Sequence, residues 1–129
     1  MANTISKTTL LDGVRNLVVL VNITGDGSGE ESATILIDRS DYAPTSGLEL
    51  VVERISGNLS GFTAVLLFDA TTDLAIAQLP ADWFEYDWRE AGGISSVRAG
   101  TGYTGDLLIT TSSLGNGDRA TLTLFMRKA

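Results

Sequence analysis

The chemistry-bearing side chains of this sequence are densest in Asp82-Trp83-Phe84-Glu85-Tyr86-Asp87-Trp88-Arg89-Glu90. Both tryptophans and four of the nine aromatic residues fall within six positions, interleaved with four carboxylates and one guanidinium. Three kinds of chemistry suit such a run. Indole faces stack on pyranose rings while carboxylates take their hydroxyls, which makes a sugar platform. Two carboxylates about 5–10 Å apart suffice for acid/base hydrolysis of a glycosidic bond. Trp, Tyr and Arg also anchor protein interfaces, and the rings can simply pack a core. Spacing orders the three. These carboxylates share one short segment, whereas hydrolytic pairs usually face each other across a cleft from different strands. Interface or core packing ranks first, a sugar platform on Trp83 and Trp88 second, and hydrolysis last. Trp83, Phe84, Tyr86 and Trp88, with Arg89 as a charged anchor, are the expected protein-contact surface. No catalytic, metal-ligating or cofactor-binding residue is assigned.

The other motifs read as turns. Gly100-Thr101-Gly102-Tyr103-Thr104-Gly105 matches GxGxxG, but the dinucleotide version needs a helix N-terminus after it. Here DLLITTSS follows, which is strand sequence. Asp26-Gly27-Ser28-Gly29-Glu30-Glu31 places oxygen ligands at alternate positions, as a calcium loop does. It lacks the twelve-residue loop and flanking helices of an EF-hand, so a Gly-rich hairpin connection is the preferred reading over a weak ion site at 26–31. Asp69 and Asp73 bracket Thr71-Thr72 as side-chain acceptors of a turn, and Asp12-Gly13 is a similar signal. The sequons at Asn22 and Asn58 are read as chance matches.

Composition removes whole classes of mechanism. The chain has 129 residues, no cysteine and no histidine. Without Cys there is no disulfide framework, thiol nucleophile or zinc ribbon. Without His there is no Ser–His–Asp triad and no imidazole acid/base. A formal charge of −7, from 9 basic and 16 acidic residues, argues against a nucleic-acid partner. Arg127–Lys128 is the only local basic cluster. The longest apolar runs, 17–21 and 64–68, fall far short of the ~20 residues of a membrane-spanning helix. The first residues carry no apolar signal-peptide core, so the expected place of synthesis is a cytoplasm.

The elements that must hold these side chains are strands. Gly, Ser, Asn and Asp cluster at 25–32, 56–61, 99–105 and 113–118, with Val, Ile, Leu, Thr and Phe between them. The strands are expected at 4–10, 14–24, 33–39, 48–56, 62–69, 74–79, 106–112 and 120–127. Phe62, Ala64, Leu66 and Phe68 make one apolar face, and Val65 and Leu67 on the other suggest a central strand covered on both sides. Leu122, Leu124 and Met126 alternate with Thr121, Thr123 and Phe125, a clear in/out strand. At most one short helical turn fits, near 80–88, with Pro80 in the first turn. The fold class is all-β: a single domain, 1–129, built as a two-sheet antiparallel β-sandwich of jelly-roll type. An immunoglobulin-like sandwich is the second choice, weakened by the absent Cys–Trp–Cys pattern. Residues 1–9 are read as an N-terminal arm able to add a strand to a neighbouring sheet edge.

Three stretches carry a resemblance: LxDGxRNLVVxVxIxGDGSGEE in Leu10–Glu31, NLSGFxxxLLFDATTD in Asn58–Asp73, and AGTGYTGDLLITTSSLGxGDxATxxLxxRK in Ala99–Lys128. Covering more than half of the chain, they resemble small all-β virion structural proteins of tailed bacteriophages, of the capsid decoration (cement) type. The resemblance implies a virion component made in the bacterial cytoplasm and placed on the capsid exterior. Its implied partner is the major capsid protein of the same virion, with a homo-oligomer, a trimer by preference, as a second association. It also implies no cofactor, no nucleic acid and no membrane. Neck, tail or baseplate proteins of the same phages share this grammar. A carbohydrate-binding module using Trp83 and Trp88 stands as the other class.

Overall fold

Alternating Val, Ile, Leu and Thr residues, punctuated by glycine-rich turns, build ten strands in the computed structural model, which describes residues 3–13, 15–42 and 49–128. They are β1 (Thr4–Asp12), β2 (Asn16–Thr24), β3 (Thr34–Ile37), β4 (Leu50–Ser60), β5 (Thr63–Phe68), β6 (Leu74–Leu79), β7 (Trp83–Asp87), β8 (Ile94–Ser95), β9 (Leu107–Ser112) and β10 (Arg119–Lys128). The larger sheet runs β1-β2-β10-β4-β7, with the short β8 also beside β4; the smaller runs β3-β9-β5-β6. Every pairing is antiparallel.

The path between the sheets defines the fold. The chain steps from β2 across to β3, back to β4, across to β5 and β6, back to β7, across to β9 and back to β10. The resulting four-strand sets, β2-β10-β4-β7 and β3-β9-β5-β6, are the strand order of a jelly roll, with β1 added at the edge. An immunoglobulin-like sandwich groups its strands as ABED and CFG, so that second choice is not the fold.

The core lies between the inner faces. Leu17, Val19, Val21 and Ile23 of β2 and Leu122, Leu124 and Met126 of β10 belong to the same buried cluster as Leu66, Phe68, Leu107 and Ile109 of the other sheet. Strand β5 is central, as expected, but its outer side is not covered: Val65 and Leu67 are half-exposed. Two sheets packed face to face leave each outer face to solvent, which is why β5 has only one buried side.

The expected strands match the observed ones to within a few residues, apart from β4, which runs four residues beyond the expected end at 56. Residues 1, 2, 14 and 48 of the expected arm and strands lie outside the described residues. Two expectations need correction. The helical turn near 80–88 is instead strand β7, because Trp83 through Asp87 pair residue by residue with Asn58 through Arg54 of β4. The single-turn 3-10 segments stand at 39–41, 89–91 and 96–99. The described part of the N-terminal arm is edge strand β1, paired with β2 of its own sheet from Thr4 to Asp12.

Candidate functional site

Strand β7 is the last strand of the larger sheet, and its period-2 alternation sorts the aromatic segment by face. Residues paired directly across a sheet share a face. Phe84 pairs with Gly57, which lies between the inward Ile55 and Leu59 of β4, and Tyr86 pairs with the buried Ile55. Both therefore point into the sandwich. Phe84 is only 5% exposed and belongs to the core, so it is not part of a contact surface. Trp83 pairs with the exposed Asn58, faces outward, and is 65% exposed.

The rings on the inner side form a ladder. Phe84 and Tyr86 lie 6.0 Å apart and tilted by 45°. Tyr86 and Trp88 stack at 5.7 Å with planes 15° apart. Both Tyr86 and Trp88 are half-buried against the core. The Tyr86 hydroxyl donates to the Gln78 carbonyl at 2.6 Å, tying edge strand β7 to edge strand β6 of the other sheet. Beside this tie an open groove of about 430 Å³ is lined by Thr63, Val65, Gln78, Leu79, Pro80 and Tyr86. A two-tryptophan sugar platform does not form, because Trp83 faces outward and Trp88 stacks on an inward ring.

Two ion pairs organise the charges around the segment. The Arg89 guanidinium donates to both Asp87 carboxylate oxygens, at 2.9 and 2.6 Å, and the Arg89 amide donates to Oδ1 at 3.0 Å. These bonds hold the Asp87 carboxyl down at about 2, and the same pairing raises Arg89. Arg89 is exposed, yet its charge is neutralised locally rather than offered as a free anchor. Glu85 pairs with Arg54, whose guanidinium also lies 5.2 Å above the Phe125 ring. The Asp82 carboxylate accepts from the Trp83 amide at 2.7 Å.

The glycine-rich segments are turns. In AGTGYTG, Gly100, Gly102 and Gly105 all have φ between 82° and 84°, and β9 follows after Asp106. The Asp73 carboxylate accepts from the Ala70 amide at 3.1 Å, the turn expected for DATTD. The acids of 26–31 are occupied apart from one buried oxygen, Asp26 Oδ2, which has no hydrogen-bond partner. Glu30 accepts from the Leu114 amide and the Thr111 hydroxyl, which hold its carboxyl below the ordinary range. Glu31 accepts from Asn3 and Thr34, and Asp26 from Ser28. Among the described residues no group of three or more acids is arranged to hold a metal ion.

At the end of the sandwich opposite the 26–31 loop, Arg39 and Asp106 were not singled out by sequence, and the pairing of Arg127 and Lys128 was not foreseen. Arg39 is fully buried and donates to the carbonyls of Tyr42 and Glu49 at 2.7 and 3.1 Å. Burial raises the carboxyl of Asp106, which accepts from the Arg39 amide and faces Asp38 and Asp69. Lys128, with its side chain buried, pairs with Asp12 at 2.5 Å, while Arg127 pairs with Glu53 at 3.4 Å. The C-terminal basic pair is thus matched by acids, partnerships that only the long-range strand pairing creates.

No family model and no curated protein matches the sequence. Among solved structures, a cupin superfamily protein from Desulfitobacterium hafniense is similar over 96% of this chain and 78% of its own, at 14% identity and a TM-score of 0.32. Two variants of a family 29 carbohydrate-binding module are similar over 96% of this chain and 92% of theirs, at 11% identity and TM-scores of 0.37 and 0.36. Likeness at that level carries no functional argument, and the strand order stands on its own.

Proposed function

We propose that this chain is a non-enzymatic virion structural protein that decorates a bacteriophage capsid and stabilises it by bridging major capsid subunits. One observation carries the docking part of this reading: a large exposed indole, Trp83, stands on the outer face of a terminal strand. Exposed tryptophans are frequent anchors of protein interfaces. The sequence resemblance supplies the virion and the capsid. The acidic charge suits a protein on the outside of the shell, since it disfavours binding to the DNA polyanion before and during assembly. Phe84 is left out of the proposed contact, and Tyr86, Trp88 and Arg89 act behind Trp83 by stiffening the strand that presents it.

Purified protein mixed with undecorated capsids tests the reading. Co-sedimentation with the shell and a rise in its heat resistance are expected, and Trp83→Ala weakens both. Absence from the shell, with no gain in heat resistance, overturns it. A second reading, binding of a sugar, is favoured by the same indole flanked by Asp82 and Glu85. It predicts a tryptophan fluorescence change on titration with host glycans that is lost in Trp83→Ala.

A further inference from the structure

Among the described residues the two sheets end on four strands, β1 and β7 of the larger and β3 and β6 of the smaller. Three of these carry one residue more than their partner strand can pair. The register skips Leu10 between Thr9 and Leu11 of β1, Leu36 between Ile35 and Ile37 of β3, and Ile76 between Ala75 and Ala77 of β6. A bulge on an edge strand bends it and spoils its outward row of N–H and C=O groups, which is how natural sheets resist an added strand. Strand β7 has no such break. Trp83 through Asp87 pair one for one with Asn58 through Arg54.

The ladder also shows which backbone groups of β7 are free. At its two ends the Leu59 amide donates to the Asp82 carbonyl at 3.3 Å, and the Trp88 amide donates to the Glu53 carbonyl at 2.9 Å. Hydrogen-bonded pairs alternate along an antiparallel ladder, so Phe84 and Tyr86 likewise bond to β4. The Trp83 carbonyl, and the N–H and C=O groups of Glu85 and Asp87, therefore point away from the sheet. Trp83, Glu85 and Asp87 are all exposed residues.

We propose that a capsid subunit docks here by strand addition: an extended segment of it pairs with the free edge of β7 and packs an apolar side chain against Trp83. This inference rests on the capsid reading above and names how that contact is made. Main-chain bonds to an edge supply affinity, and the alternate side chains supply specificity. Charge decides against a second copy of this chain as the occupant. In the antiparallel register that uses all the outward groups, self-pairing sets Glu85 directly opposite the Glu85 of the other copy. Like charges directly opposite are destabilising, and here each chain also carries a net charge of −7. An uncharged or basic segment meets no such penalty beside Asp82, Glu85 and Asp87. Its inner side chains fall beside Tyr86 and the open groove that Tyr86 lines with Leu79 and Pro80, which suits apolar residues there as well.

Glu85 offers the test, because its N–H is outward and proline is tolerated on an edge strand at such a position. Glu85→Pro removes that donor and leaves the bonds to β4 in place. Glu85→Gln loses the same pairing with Arg54 but keeps the donor. Binding to undecorated capsids, titrated by co-sedimentation, is expected to be about 10-fold weaker for Glu85→Pro than for Glu85→Gln, the worth of roughly one hydrogen bond. Thermal melts confirm that both variants are folded. Hydrogen exchange of the wild-type protein, read by mass spectrometry, decides the matter if the proline variant does not fold. Capsid binding is expected to slow the amides of Glu85 and Asp87, which face solvent in the free protein. Wild type absent from the shell overturns the capsid reading, and this inference with it. Wild type bound, with equal affinity of the two folded variants or with no slowing at Glu85 and Asp87, overturns strand addition alone.

Discussion

Truncating two adjacent residues, Trp83 and Phe84, tests the placement of the aromatic strand. Phe84 is 5% exposed, so nearly all of its ring leaves water on folding. An area of about 150–200 Å² at ~25 cal/mol/Å² gives about 4–5 kcal/mol, close to the ~3–5 kcal/mol typical of buried Phe→Ala changes. The neighbouring half-buried Tyr86 can relax toward the gap, which favours the lower end, about 3 kcal/mol. For a domain of this size that lowers Tm by about 10 °C. Trp83 is the larger ring, but 65% of it stays in water. Its truncation costs about 1 kcal/mol or less, and a Tm shift of about 3 °C at most. Calorimetry on both alanine variants, with urea melts at fixed temperature, reads the difference. A one-residue slip of β7 against β4 would exchange the two side chains between core and solvent. Equal losses, or a larger loss for Trp83→Ala, would therefore refute the register and the division of the segment into a core half and a presented half.

The remaining predictions concern close approach and acid sensitivity. A methyl group on Gly57 would lie 2.1 Å from the Thr121 carbonyl oxygen and 3.0 Å from the Leu122 Cα, both backbone atoms of β10. Gly57→Ala is expected to cost about 1–3 kcal/mol or more, seen as a lower urea midpoint with an unchanged slope. Glu30 has its carboxyl held below its ordinary value of 4.5 by the Leu114 amide and the Thr111 hydroxyl. Because the folded-state value is the lower one, its contribution is full above pH 4.5 and lost as pH falls through the depressed value. The Tm gap between wild type and Glu30→Gln should be widest at neutral pH and close on acidification. A constant gap from pH 7 to pH 3 would contradict this.

Most of the strand plan was legible because local signals and tertiary demands agree. Glycine clusters at 25–32, 99–105 and 113–118 bracket the strands, and several of their glycines adopt the positive φ that makes those turns. Strand β7 was not legible. Pro80, the acids and the tryptophans of that stretch imitate the start of a helix, and only pairing with β4, some thirty residues upstream, makes it extended. The buried Arg39 was hidden for a related reason. Its partners are the carbonyls of Tyr42 and Glu49, which no side-chain pattern encodes.

The aromatic segment shows where the two kinds of information divide. Residue types alone determined that the chain folds without thiol or imidazole chemistry and that short amphipathic strands make up its body. They also determined that rings and carboxylates concentrate at 82–90. Tertiary structure decided what those rings do. The pairing of β7 with β4 sends Phe84 inward and Trp83 outward, and the tie from Tyr86 to Gln78 closes the sandwich at that edge. It likewise decided that Leu11, Val18 and Phe125, far apart in sequence, stand in one row on the outer face of the larger sheet. Alternation along a strand is a local property, fixed by backbone geometry, whereas register between strands is set by burial summed over the whole core.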